Sequence, residues 1–171
     1  KFEEDNRQFG LEYALKARET AVAEAKAGAE TTTGLTNESG QALQLVNNLI
    51  PKVGEIAGVI RTGFATGSKS ELKQLISTLS LNARKLIKGS GAVSDFEAKM
   101  LQDSSTALSS GRLSEKFVEK ELKKVRGVIN SNAGIPVEVE VISPKGESYT
   151  ASLSRDEIYR LASEGNILNY K

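Results

Sequence analysis

The stretch LIKGSGAVSDFEAKML, residues 86–101, joins two apolar runs through two glycines and a serine–acid cluster. It fits either a phosphate-binding loop or a corner between two helices. A dinucleotide-binding Gly-x-Gly loop follows a strand, whereas Gly89 follows a leucine-rich stretch of helical period. Ser94 and Glu97 have the spacing of a capping box, in which both side chains satisfy free amides at a helix start. We therefore predict a structural helix corner, with the corner motif Gly89, Gly91, Ser94, Asp95 and Glu97; an anion at the second helix's N-terminus is the alternative.

Composition excludes much of the usual chemistry of active sites. The 171 residues include neither Cys nor His, so thiol and imidazole catalysis and the metal sites that depend on those ligands are excluded. We predict no catalytic residue, no metal site and no cofactor. Lys and Arg number 23 against 22 for Asp and Glu, and the two signs are interspersed. DNA or membrane contact is therefore left open rather than indicated.

The apolar content is low for a chain of this length. Hydrophobic residues make up 39% and aromatic residues 5% of the sequence. Such a composition favours long helices that complete their burial against other copies. We predict a mainly α fold: an elongated helical bundle with a long N-terminal helix, and a C-terminal β-hairpin followed by a short helix. We also expect a homo-oligomer.

Four segments are expected along the chain. Residues 1–28 form an amphipathic helical arm whose Phe2, Phe9 and Tyr13 are candidate oligomer contacts, and residues 29–40 form a Thr- and Gly-rich linker. Residues 41–133 form a helical domain, and residues 134–171 form a ββα tail.

Local signals place the breaks within the helical domain. Pro51 interrupts one apolar stripe and predicts a kink or a new helix start. SKSE at 68–71 has the spacing of a capping box, and Ser114 is placed to cap a further helix. Gly111 is expected to end the helix that precedes Ser114.

The tail changes to a period of two residues. Val137, Val139 and Val141 alternate with glutamates, SPKG at 143–146 forms the turn, and a second strand ends at Leu153. SRDE at 154–157 is a further capping box, and its helix is expected to end at Gly165. An isolated hairpin is marginal in water, so the tail is expected to pack on the helices or on another chain. For the second case, the three valines are candidate oligomer contacts.

The string LKQLISTLSLNARKLIKGSGAVSDFEAKML, residues 72–101, resembles a pattern of tailed-bacteriophage virion proteins of the DNA-transfer or ejection (internal virion) type. The matching residues are Asn82, Ala83, Arg84, Lys88, Gly89, Gly91, Val93, Ser94, Asp95 and Glu97. The resemblance implies a non-enzymatic structural component of a phage particle. It implies a ring or tube of identical copies that contacts other virion proteins and helps the genome cross the host envelope. The implied location is the virion, and the host periplasm or envelope during infection.

Two other function classes compete with this interpretation. A cellular scaffold or adaptor module would bind a protein partner through helical faces, or through the Val137 to Val141 edge by β-augmentation. An enzyme would have to use paired carboxylates, either Asp95 with Glu97 or Asp156 with Glu157. Because acids in first helical turns are explained by the helix dipole, we predict no enzymatic activity.

Overall fold

The computed structural model describes residues 35–62, 67–110 and 114–171, with the backbone alone over 58–62. The chain divides into two units, 1–34 and 35–171, and all described residues belong to the second. The predicted arm, with Phe2, Phe9 and Tyr13, lies outside the described residues. The elements, in order, are α1 (Asn37–Leu49), a 3-10 turn (Ile50–Lys52), α2 (Val53–Thr62), α3 (Gly67–Leu86), α4 (Ala92–Ser109), α5 (Glu115–Asn132), β1 (Val137–Ile142), β2 (Ser148–Leu153), α6 (Arg155–Ser163) and β3 (Ile167–Tyr170).

The first described helix begins earlier than predicted. α1 starts at Asn37, inside the segment 29–40 that was expected to be a linker. Thr36 is extended and its side chain accepts a hydrogen bond from the Ser39 amide at 3.2 Å. The threonine that indicated a linker is thus a helix N-cap, and the predicted linker boundary is too late.

Pro51 breaks the helix as predicted. It lies in the 3-10 turn between α1 and α2, where its missing amide removes one helical hydrogen bond. The prediction for SKSE at 68–71 is wrong, because α3 already begins at Gly67. Ser68 is buried inside the helix and donates to Glu55 Oε2 at 3.4 Å.

The predicted cap of α5 is confirmed, and α5 supplies much of the core. The Ser114 side chain accepts from the Phe117 amide at 3.3 Å. One continuous buried cluster joins the helices to the inward face of the sheet. Its largest fully buried side chains are Leu49, Ile56, Leu75, Leu79, Leu86, Leu101, Leu108, Leu122 and Ile129.

The C-terminal sheet has three antiparallel strands in the order β2-β1-β3. The predicted hairpin is confirmed: Gly146 has φ +88° and its amide donates to the Ser143 carbonyl at 2.9 Å. The short β3 strand was not predicted. It pairs with β1 from Val139 to Ile142, so much of the β1 edge proposed for β-augmentation is already occupied.

The three alternating valines are core residues. Val137 is 8% exposed, and Val139 and Val141 are fully buried. Their prediction as oligomer contacts is therefore wrong, because the inward face of β1 packs into the chain's own core. The predicted fold class is confirmed in its main features: the described chain is mostly helical, with a small antiparallel sheet near the C-terminus.

Candidate functional site: the helix corner

The corner predicted at residues 86–101 is present, and its turn depends on two glycines. α3 ends at Leu86 and α4 begins at Ala92. Gly89 has φ +95° and Gly91 has φ +98°, values that residues with a Cβ rarely adopt. Gly91 is the N-cap of α4 and provides no side chain to satisfy the free amides. The glycines therefore have the predicted structural role.

Ser94 and Glu97 do not form the predicted capping box. Because α4 begins at Ala92, Ser94 lies inside its first turn and Glu97 in the second. The Ser94 hydroxyl instead donates to the Lys88 carbonyl at 3.3 Å and accepts from Arg155 Nη2 at 2.9 Å. Both residues are almost fully buried.

Glu97 forms a two-pronged ion pair with Arg155, 58 residues further along the chain. Arg155 Nε lies 2.8 Å from Oε1, and Nη2 lies 3.0 Å from Oε2. The side chain of Glu97 is 5% exposed, whereas that of Arg155 is 29% exposed. Asn132 Nδ2 adds a hydrogen bond to Oε2 at 2.8 Å. The buried carboxylate is thus well compensated.

The backbone carbonyl of Lys88 joins these contacts into one network. It accepts from Arg155 Nη2 at 3.2 Å and from Asn132 Nδ2 at 3.3 Å. The Lys88 amide in turn donates to Asn132 Oδ1 at 3.0 Å. We call Lys88, Ser94, Glu97, Asn132 and Arg155 the Arg155 network. It ties the α3–α4 connection, α4, α5 and the start of α6 together.

The contact with Glu97 has an electrostatic effect on Arg155. The hydrogen bond with Glu97 raises the pKa of Arg155, so the guanidinium remains protonated. Nearby, burial raises the pKa of Tyr170, and the charge of Glu97 adds to this effect. The Tyr170 hydroxyl lies 3.9 Å from Met100 Sδ. Tyr170 therefore remains a neutral phenol in the core.

The acids proposed as catalytic pairs have separate structural partners. Asp95 is on the surface, where it pairs with Arg84 at 2.9 Å rather than with Glu97. Glu157 caps α6: its Oε2 accepts from the Ser154 amide at 2.8 Å, which is the main reason that its pKa is lowered. Asp156 is exposed and favours the charge on Arg155. The hydrogen bonds and ion pairs of these acids are thus made to other residues rather than within either pair.

Sequence reasoning missed Asn132 and Arg155. The signal for a buried partner was in α4, because Glu97, Leu101 and Leu108 share one helical face. An acid in an apolar stripe requires a cation or several donors. The sequence did not show which of many Lys and Arg residues would supply that cation.

A groove of about 610 Å³ lies between α3 and α4, and none of its lining residues belongs to the Arg155 network. Its apolar lining includes Leu72, Ile76 and Leu81, and Leu81 is 78% exposed. Lys69 and Lys73 also border it. A smaller groove of about 350 Å³ lies between α5 and the C-terminal residues, and its lining residues are Lys116, Glu119, Lys120, Lys123, Asn169, Tyr170 and Lys171.

Within the described ranges, no group of three or more Asp and Glu side chains is arranged to hold a metal ion. Among the helices described, none is both long enough and apolar enough to span a bilayer. Comparisons of the chain with protein-family models, with characterised proteins and with solved structures found no match.

Proposed function

We propose that the protein is a non-enzymatic structural component of a tailed-bacteriophage particle, which assembles with identical copies and helps to deliver the genome across the host envelope. The proposal rests on the resemblance carried by residues 72–101. One observation supports the structural part of it. The polar residues of the corner motif are used within the fold, Ser94 and Glu97 in the Arg155 network and Asp95 with Arg84.

The absence of enzymatic activity belongs to the same proposal. Glu97 is held by a bidentate guanidinium and an amide, and a carboxylate held in this way is a poor general base. Glu157 accepts the Ser154 amide at the start of α6. These contacts of Glu97 and Glu157 support the proposal that neither residue is catalytic.

Self-assembly is the second part of the proposal. We propose an elongated bundle with a long N-terminal helix over residues 1–28 as part of this assembly. A thin amphipathic helix is stabilised mainly by packing on a neighbour. Exposed apolar side chains on the described surface, including Leu81 and Ile167, are consistent with contact between copies. We propose a ring or tube that also meets other virion proteins.

Light scattering of the full chain tests this function, with and without DNA and with vesicles that contain anionic lipids. We expect a defined multiple of 18.4 kDa. Association of that species with vesicles, accompanied by leakage of a trapped dye, would support a role in crossing the envelope. A chain that remains monomeric at every concentration and binds neither DNA nor vesicles would contradict the proposal.

The groove between α3 and α4 favours a second candidate, an adaptor that binds an amphipathic helix of a protein partner. Leu72, Ile76 and the exposed Leu81 would receive the apolar face of such a helix. Lys69 and Lys73 would pair with acids on its flank. A Leu81→Asp variant that loses a protein partner but keeps its self-association would favour the adaptor.

A further inference from the structure

The outer edge of β2 is open among the residues that the structure describes. β1 occupies the centre of the sheet, so β2 pairs on one side only. Its burial pattern is unusual for a strand next to a core, because four of its six residues, Ser148, Tyr149, Thr150 and Ser152, are exposed. Side chains on both of its faces are therefore accessible.

The hydrogen-bond alternation shows which backbone groups point to this edge. The Lys171 amide donates to the Glu138 carbonyl at 3.1 Å, so the backbone of Glu138 faces β3. In an antiparallel sheet, the residues of β1 that face β2 are then Val137, Val139 and Val141. Their register partners Leu153, Ala151 and Tyr149 point back at β1. The amides and carbonyls of Ser148, Thr150 and Ser152 therefore point outward.

This edge lacks the usual protection against strand pairing. The sequence of β2, SYTASL, has no charged residue and no proline. Edge strands are commonly protected by Lys, Pro or a bulge, and each β2 residue has one register partner on β1, so no bulge is present. Tyr149 additionally exposes 52% of its surface next to the open edge.

We propose that β2 pairs antiparallel with β2 of a second copy, which joins the two sheets into one. With the two-fold axis at Thr150, Ser148 lies opposite Ser152 of the second copy. All the outward amides and carbonyls then find partners. Tyr149 lies opposite Ala151 of the second copy, where a small side chain leaves room for the ring. This inference rests on the proposed self-assembly and names one surface that contributes to it. A two-fold contact closes at a dimer, so a ring or tube also requires a second contact between copies.

A second copy fits the edge better than a peptide of strong charge. β2 is neutral along its whole length, so two copies approach without like-charge repulsion. The alternation of outward backbone groups is also centred on Thr150, which makes the strand complementary to itself. An acidic or basic peptide would find no opposite charge on β2.

Two substitutions at Thr150 test the edge in the full chain. Thr150→Lys sets two like charges against each other at the two-fold axis, whereas within one copy the new Lys lies opposite Glu140 and is tolerated. Thr150→Val is the matched control, since it keeps a neutral β-branched side chain. We expect Thr150→Lys to raise the dissociation constant about tenfold or more by light scattering. Thr150→Val should leave it within about twofold. Both variants should melt like the parent below the dissociation constant, where all three chains are monomeric.

Hydrogen exchange supplies a direct readout of the paired strand. The amides of Ser148, Thr150 and Ser152 should exchange slowly above the dissociation constant and rapidly below it. An oligomer that is unchanged by Thr150→Lys, or that leaves these amides rapidly exchanging, would overturn the β2 interface while keeping self-assembly. A parent chain that is monomeric at all concentrations would overturn both, so the two failures are distinguishable.

Discussion

The starts of α4 and α6 have the same spacing of serine and glutamate but use it in opposite ways. At α6, Ser154 precedes the helix and Glu157 returns to its amide, which gives a local capping box. At α4, Ser94 and Glu97 are inside the helix and bind Arg155, 58 residues beyond Glu97. The difference arises from where the helix begins relative to the serine. The serine–glutamate spacing thus caps α6 locally, whereas in α4 it forms tertiary contacts.

Loss of the buried partner at α4 should have the largest effect. Glu97→Ala leaves the Arg155 guanidinium and Asn132 without their acceptor, so we expect about 3 kcal/mol of lost unfolding free energy, at the low end for a buried pair because Arg155 is partly exposed. Urea denaturation followed by circular dichroism measures it. Glu157→Ala is the control at α6 and should cost clearly less.

A double variant sharpens this result. Replacing both Glu97 and Arg155 by Met removes the charges together, so it should cost less than Glu97→Ala alone. If Glu97→Ala and Glu157→Ala destabilise the chain equally, the two helix starts do not differ as the structure indicates.

The sequence predicted those features whose cause is local. Pro51, the turn at Ser143 to Gly146 and the caps at Ser114 and Ser154 each act within a few residues. The corner at Gly89 and Gly91 belongs to the same group, because a glycine adopts the positive φ of such a turn without the steric cost of a Cβ.

Features that depend on distant partners were not predicted. The role of Ser94 and Glu97 depends on Arg155. Packing of the tail on the helices was one of two alternatives, and local spacing did not decide that Val139 and Val141 would be buried in this way. The four residues of β3 carry too short a pattern to be recognised without the β1 edge that receives them. At 68–71, a capping pattern occurs inside a helix because the start of α3 lies one residue earlier. Local spacing cannot distinguish these cases.

The glycine turn should give the next largest effect. Gly91→Ala places a Cβ on a residue with φ +98° and ψ −171°, which we expect to cost about 2 kcal/mol. Gly89→Ala should cost at least as much, because its Cβ would also lie 3.3 Å from Ser94 Oγ. Urea denaturation is again the measurement.

Gly40→Ala is the matched control for the glycine turn. Gly40 lies in α1 and has an ordinary φ, and no atom lies within 4 Å of the place that a Cβ would take. The change should therefore stabilise the chain by up to about 1 kcal/mol. Equal stability of all three variants would contradict the structural role of the corner glycines.

The cap at α6 should give a smaller change. Ser154→Ala removes the acceptor of the Glu157 amide, and we expect a loss of about 1 kcal/mol. Ser154→Asp keeps an acceptor at the N-cap and should retain most of the stability. In a double-mutant cycle, Ser154 should couple to Glu157, whereas Ser94 should couple to Arg155. If the coupling energy of Ser94 were instead with a residue at the start of α4, the starts of α4 and α6 would not differ in the way described.

The smallest effect is the pH dependence of the α6 cap. Hydrogen bonds from the Ser154 amide and hydroxyl lower the pKa of Glu157 below its usual 4.5. Because the folded pKa is the lower one, the contribution of the Glu157 carboxylate is present above pH 4.5 and is lost as the pH falls through the folded value, whereas the hydrogen bond accepted by the Ser154 hydroxyl remains. A carboxyl titration by NMR should therefore show a midpoint below 4.5, and the same titration in urea should return it to the usual value. In Ser154→Ala the midpoint should rise only part of the way, since the amide is the larger cause and remains. A folded midpoint at or above 4.5 would show that Glu157 does not close the capping box, and the start of α6 would then lose the feature that distinguishes it from α4.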